Sequence, residues 1–209
     1  DFVAIMAMAA RIFAPFDKAY SEKCLEAARL SYQYLKAHPE NKPFVQGDFK
    51  TGGYQTSDED DRLWAAAEMW QTTGEEEFLR DFEKRVSKMN CQVDEDWDWG
   101  NVSNLGMFTY ALCERKGKNK EVEQTIRHNI ITVANKIVNN AKQDLYRRPL
   151  KRYYWGCNGT VARQTINLFV ADCLNANSAF KETALDAVAH LFGRNYYNRS
   201  YVTGIGINP

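Results

Sequence analysis

The residues best suited to chemistry in this chain of 209 residues fall into three loop clusters and an aromatic tail. The first cluster is Thr51-Gly-Gly-Tyr54, followed by Asp60-Asp61 and Arg62-Leu-Trp64. Two adjacent carboxylates beside the backbone carbonyls of a Gly/Thr/Ser loop supply hard oxygen ligands, a donor set that suits Ca²⁺. The same acids also suit the first turn of a helix, where the macrodipole favours negative charge, and both readings stand. The second cluster, Asp94-Glu-Asp-Trp97-Asp-Trp99-Gly-Asn101, joins indoles to carboxylates. An indole laid on the axial C–H face of a pyranose hides apolar area while nearby carboxylates accept hydroxyl hydrogen bonds. A pair of tryptophans plugging the end of a helical stack is the alternative. The third cluster is Tyr153-Tyr154-Trp155-Gly156-Cys157-Asn158-Gly159. Three consecutive aromatics at the mouth of a helix are hard to place in a core, and Trp155 is the strongest single candidate for contact with a sugar. The tail from His190, through Arg194-Asn-Tyr-Tyr-Asn-Arg-Ser-Tyr201, is too apolar to be solvated and too irregular to be a helix.

Lys+Arg and Asp+Glu each total 27, so the formal charge is zero. That argues against a nucleic-acid partner, for which a basic excess supplies most of the affinity, and it suits an uncharged polysaccharide. No stretch approaches the roughly 18 apolar residues of a membrane span. The five cysteines have no Cys-x-x-Cys spacing; Cys24, Cys113 and Cys173 fall in helical apolar patterns and read as small buried hydrophobes. His38, His128 and His190 have no partners at metal spacing, so zinc is not indicated. No Gly-x-Ser-x-Gly or phosphate-cradling glycine loop occurs. Asn101, Asn158 and Asn198 head glycosylation sequons, a weak signal at chance frequency. Asp1 is expected not to be a native start, which leaves secretion open.

The elements that would position these clusters are helices, because the apolar period is helical nearly throughout. A first helix runs from Phe2 to Phe13, apolar on more than one face, and Pro15 stops it. Asp17 caps a second with Tyr20, Cys24, Ala28, Tyr32 and Leu35 on one stripe, ended by Pro39. A third covers Leu63 to Gln71 behind the acids, and a fourth starts at Thr73. A fifth runs from about Asn101 to Glu114, a sixth from about Glu121 to Val138, a seventh from about Gly159 to Leu174, and an eighth from Phe180 to Phe192, stopped by Gly193. Odd-numbered helices are the more apolar, which predicts an inner layer covered by an amphipathic outer one, as in an α/α toroid or an open solenoid. The long connections 38–57, 89–100 and 141–157 are where function is expected.

Four segments also resemble, in order and at about the right gaps, motifs of glycoside hydrolase family 9, the inverting cellulases. They are Gly52-Gly-Tyr54 … Asp60-Asp61-Arg62-Leu63-Trp64-Ala-Ala-Ala, the Trp97 region, Tyr154-Trp155-Gly-Cys157-Asn158, and Ser200-Tyr201-Val-Thr-Gly204. Departures are Asp61-Arg62 where the family has Glu-Leu, Cys157 for Ser, and Tyr196 for Pro. The resemblance implies an all-α fold, an (α/α)₆ toroid incomplete in this chain, with residues 1–209 part of one catalytic domain whose N- and C-terminal portions are missing. It implies an endo-β-1,4-glucanase acting with inversion on cellulose or soluble β-1,4-glucan. Tyr54, Trp97, Trp155 and Tyr201 would line the substrate cleft, and Asp60 and Asp61 would hold a structural Ca²⁺. Trp99 is close enough to exchange places with Trp97.

Inversion needs two carboxyl groups about 6.5–9.5 Å apart. The family's base lies in an Asp-Ala-Gly-Asp run, absent here, and its acid is expected beyond Pro209, so no catalytic residue is assigned and the isolated piece is expected to be inactive. The resemblance further implies a secreted or cellulosome-borne enzyme, with immunoglobulin-like, carbohydrate-binding or dockerin modules outside this chain, and neither nucleic-acid nor membrane partners. The rivals are another glycosidase or lyase on a toroid and a non-catalytic carbohydrate-binding or scaffold α/α-helical protein. Solenoid scaffolds repeat every 34–47 residues or so, and no such self-similarity is found.

Overall fold

The computed structural model describes residues 1–42, 45, 47, 48 and 57–206. Among these the chain forms helices α1 (Phe2–Phe13), α2 (Lys18–Ala37), α3 (Glu59–Thr73), α4 (Glu76–Lys88), α5 (Ser103–Leu112), α6 (Lys120–Gln143), α7 (Cys157–Leu174) and α8 (Ser178–Leu191). No β-strand forms among the described residues, so the all-α expectation holds.

Local signals set most boundaries. The Asp17 carboxylate accepts a hydrogen bond from the Tyr20 backbone N–H at 2.9 Å and starts α2, a cap worth about 1 kcal/mol. Glu59, Asp60 and Asp61 occupy the first turn of α3. Several ends shift by a few residues, and two of the shifts have a clear local cause. Thr73 ends α3 instead of starting α4, because Gly74 adopts the left-handed conformation (φ 77°) that closes a helix. Helix α6 runs on to Gln143, since Val138 and Ala141 are buried and continue its stripe, and that burial outweighs the weak propensity of Asn139 and Asn140.

The chain divides into two compact units, residues 1–91 with 99–122 and residues 92–98 with 123–209. In the first, α1 packs on α3 and α3 on α5, while α2 covers α1 and α4 covers α3. These are the expected inner and outer layers. Helix α3 is buried from Arg62 to Trp70, and its three alanines, Ala65–Ala67, let neighbours approach closely. Gly106 of α5 is one such approach: a Cβ there would meet Leu63 Cδ2 at 2.5 Å and the Trp64 Cα at 3.0 Å. Helix α1 buries only Val3, Ala4, Ala7 and Ala10. Phe2, Ile5, Ile12 and Phe13 are exposed, a narrower buried face than its composition predicts. In the second unit α7 packs on α8.

One buried carboxylate ties the inner row together. Glu68 of α3 is 1% exposed. It accepts hydrogen bonds from Arg11 of α1 at 2.8 Å, from Trp64 Nε1 at 3.2 Å and from Thr109 of α5 at 2.6 Å. Removing one partner of a buried ion pair leaves an uncompensated charge. Arg11→Met is therefore expected to lower the unfolding free energy by about 3 kcal/mol. Glu68→Gln, which keeps an acceptor for Thr109 and Trp64, should cost roughly half of that. Urea denaturation of the two variants checks the order.

Candidate functional site

In the first unit, Asp60 is buried and its Oδ2 accepts the Val102 N–H at 2.6 Å, which fixes the entry to α5. Burial pushes the Asp60 carboxyl above its usual range and the charge of Asp61 adds to that, against the backbone N–H donors. Asp61 is half-buried, with Oδ1 3.2 Å from the Asp1 amino nitrogen. A divalent cation would relieve the repulsion within this pair, so the donor chemistry fits calcium. Among the described residues, however, no third His, Cys, Asp or Glu joins them as a metal set. The Gly/Thr/Ser loop expected to add ligands, and Tyr54 with it, lies outside the described residues. Trp99 is 57% exposed.

In the second unit, residues 92–98 are strapped to α7. Asn167 of α7 accepts the Trp97 indole N–H at 2.8 Å and donates to the Asp94 carbonyl at 3.0 Å. Arg163 donates to the Trp97 carbonyl at 2.6 Å, and Gln164 reaches Asp96 at 3.4 Å. Lys136 pairs with Glu95 at 2.9 Å. Burial, then the charges of Glu95 and Asp94, push the Asp96 carboxyl upward, with Arg152 and Lys136 opposing. Trp97 is 5% exposed. Burial of this kind is what a packing role requires, and a sugar-stacking role would need a ring face opened to the ligand. The exposed indole of the cluster is Trp99, which stands on the turn that follows residue 98.

The third cluster is built around the start of α7. Gly156, at φ 78°, turns the chain into the helix, and the Tyr154 hydroxyl donates to Thr160 Oγ1 at 2.7 Å. Trp155 is left on the turn, 94% exposed. Before it, the Asp144 carboxylate accepts the backbone N–H groups of Tyr146 and Arg148 at 2.9 and 3.1 Å, folding residues 144–148 into a tight turn with Arg147 at φ 58°. The tail is shaped by a buried side chain. Asn195 donates to the carbonyls of His190 and Arg199 and accepts from the Tyr197 N–H. Tyr201 N–H returns to the Leu191 carbonyl at 2.8 Å.

These segments border an open cavity of about 740 Å³ lined by Tyr146, Tyr153, Tyr196, Tyr197 and Tyr201 with Asp144, Cys157 and Asn158. Tyr196 and Tyr197 meet edge to face at 5.2 Å. Burial, with neighbouring Tyr153, Tyr197 and Cys157, raises the Tyr201 phenol, so it stays protonated and able to donate. A chamber walled by phenols, apolar on ring faces and polar at hydroxyls, matches an uncharged polyhydroxylated ligand.

Residues 1–209 match the family described as Glycosyl hydrolase family 9. The chain belongs to that family. It is 56% identical over 211 residues to Endoglucanase D of Acetivibrio thermocellus, covering 100% of this chain and 34% of that protein. It is 27% identical over 224 residues to the xyloglucan-specific endo-beta-1,4-glucanase BoGH9A of Bacteroides ovatus, covering 99% of this chain and 38% of that one. The structure is similar to the crystal structure of the GH family 9 endoglucanase J30, with TM-score 0.90 and 32% identity over 99% of this chain and 38% of that chain. Against Endoglucanase D the chain thus spans about a third of the relative's length.

Of the residues the family 9 motifs single out, Tyr201 lines the cavity. Trp155 stands on the turn between two residues that line it, Tyr153 and Cys157. Trp97 serves the strap, and Asp60 and Asp61 belong to the first unit. Tyr146, Tyr196 and Tyr197 went unassigned in the sequence because a tyrosine's wall position depends on the turns made by Asp144 and Asn195.

His190 lies behind this wall, 1% exposed, with neither ring nitrogen hydrogen-bonded. Its ring meets that of Tyr201 edge-on at 5.6 Å. Burial, then the positive charge of Arg148, hold it below the ordinary histidine value, with Asp144 opposing. It is therefore neutral in the fold and takes a proton in the unfolded chain once pH falls below about 6.5. Its stabilising contribution is present above that pH and is lost as pH falls. His190→Gln should accordingly flatten the drop in Tm between about pH 7 and 5; equal slopes for the two proteins would rule out this account. Trp97→Phe, which leaves Asn167 Oδ1 without its donor, is expected to cost about 1–2 kcal/mol in a urea melt.

Proposed function

We propose that this chain is part of an endo-β-1,4-glucanase that hydrolyses cellulose-type glucan with inversion, and that its share of the work is substrate binding. The observation that carries the reading is the 94% exposed indole of Trp155 on a turn fixed by Gly156 and Tyr154, next to the tyrosine-walled cavity. An indole that stands almost wholly in water beside a cavity is apolar surface open to a partner. The face of a glucosyl ring is such a partner, with phenol hydroxyls nearby for its hydroxyl groups. Membership of family 9 and the likeness to proteins named as endoglucanases support the substrate class. Trp99, and Tyr54 from the family resemblance, are further candidates for contact with sugar in this reading. The chemistry belongs to carboxylates that this chain does not assign.

Asp60 and Asp61 would hold a structural calcium ion, its other ligands coming from oxygen atoms of the adjoining Gly/Thr/Ser loop. A secreted or cellulosome-borne setting, with accessory modules beyond this chain, belongs to the same proposal.

Trp155→Ala in the full-length enzyme is expected to lower kcat/KM on soluble β-1,4-glucan roughly tenfold, about 1.4 kcal/mol, while the unfolding free energy moves by less than about 0.5 kcal/mol. The opposite pattern, intact turnover with a lowered Tm, would make Trp155 a structural residue. A chelator such as EDTA is expected to lower the Tm of the wild-type protein, and the Asp60→Asn/Asp61→Asn variant should not respond. A wild-type Tm indifferent to the chelator removes calcium from the proposal.

A further inference from the structure

Tyr153 is 67% exposed and sits in the cavity wall. An aromatic side chain that open, on a loop, is normally free to change rotamer, and a moving ring makes a poor binding surface. One contact restrains it. The Arg148 guanidinium carbon lies 3.6 Å from the centre of the Tyr153 ring, well inside the range of a cation–π contact. Arg148 is itself 4% exposed. Its backbone N–H donates to Asp144 Oδ1 at 3.1 Å, and its Nε lies 3.8 Å from Asp144 Oδ2. Neither Nε nor Nη1 makes a hydrogen bond. A buried guanidinium with unused donors is costly, and an ordinary ion-pair role would have consumed them. What this arginine does consume is one face of an aromatic ring.

We propose that Arg148 is a positioning residue, whose guanidinium backs the Tyr153 ring and holds its other face toward the cavity as a platform for a glucosyl unit. The inference rests on the glucan-binding reading given above and names a further surface in that site. Arginine suits the task where lysine does not, because a planar group lies flat against a ring and a tetrahedral ammonium does not. The turn that Asp144 builds delivers the guanidinium, so wall and backing come from one loop, residues 144–153.

The test is steady-state kinetics of the full-length enzyme on a soluble β-1,4-glucan, with Tm measured alongside. Tyr153→Ala and Arg148→Met are each expected to raise KM about three- to tenfold, the worth of one aromatic contact, with kcat within about twofold. Tyr153→Phe, which keeps the ring and loses only the hydroxyl, is expected to raise KM less than Tyr153→Ala does. The double variant should be no worse than the worse single one, because both remove the same platform. An unchanged KM in Tyr153→Ala, or effects that multiply in the double variant, overturns the proposal. If Arg148→Met does not fold, Arg148→Lys is read in its place. Failure of both to fold makes Arg148 a stability residue and also overturns it. Absence of wild-type turnover on any β-1,4-glucan defeats the glucan reading and this inference together, whereas wild-type turnover with an indifferent Tyr153 defeats this inference alone.

Discussion

A carboxylate sealed inside an apolar row of helices is the constraint on which the first unit depends. Glu68 cannot be charged and dry without donors on every side, and the donors come from α1 (Arg11), its own helix (Trp64) and α5 (Thr109). Any slide or rotation of one inner helix against another strands that charge. Alanine packing brings the helices close but is tolerant of small shifts, whereas a hydrogen-bonded charge is not. Register in this row is therefore set by polarity, and the apolar contacts supply most of the cohesion.

The second unit uses the same device at the level of loops. Few of its cluster residues sit in the interior of a helix. Each is held by a side chain that substitutes for missing backbone pairing: Asp144 for the turn before the cavity, Asn195 for the tail, Asn167 for the acidic strap. Short polar side chains reaching neighbouring backbone groups are what permits irregular chain to be rigid. The backbone that carries the exposed aromatic rings is thereby fixed.

Helix existence and layering were legible in the sequence because apolar period survives whatever the tertiary context. The end of α6 was not, since Asn139-Asn140 reads as a stop until the burial of Ala141 is known. The aromatic clusters were legible as clusters, and Tyr201 was placed where a cavity forms. Which indole of Trp97-Asp-Trp99 turns outward was not legible, since the deciding partner, Asn167, lies 70 residues further on. Glu68 passed unnoticed inside a run of alanines, where a lone acid looks like an exposed helix position. Arg148 was hidden for the opposite reason: Arg147-Arg148-Pro149 resembles a solvated basic loop, yet Arg148 is buried.

The narrow gap at Gly106 carries a lesson for anyone hardening this protein against heat. Swapping helical glycines for alanine is a standard route to thermostability, gaining up to about 1 kcal/mol where room exists. Here the added methyl would press on the backbone of the facing helix at Trp64, four residues from the carboxylate that fastens the row. The usual sign is expected to reverse, and the residue that looks like the weakest link of α5 is the one that should be left alone.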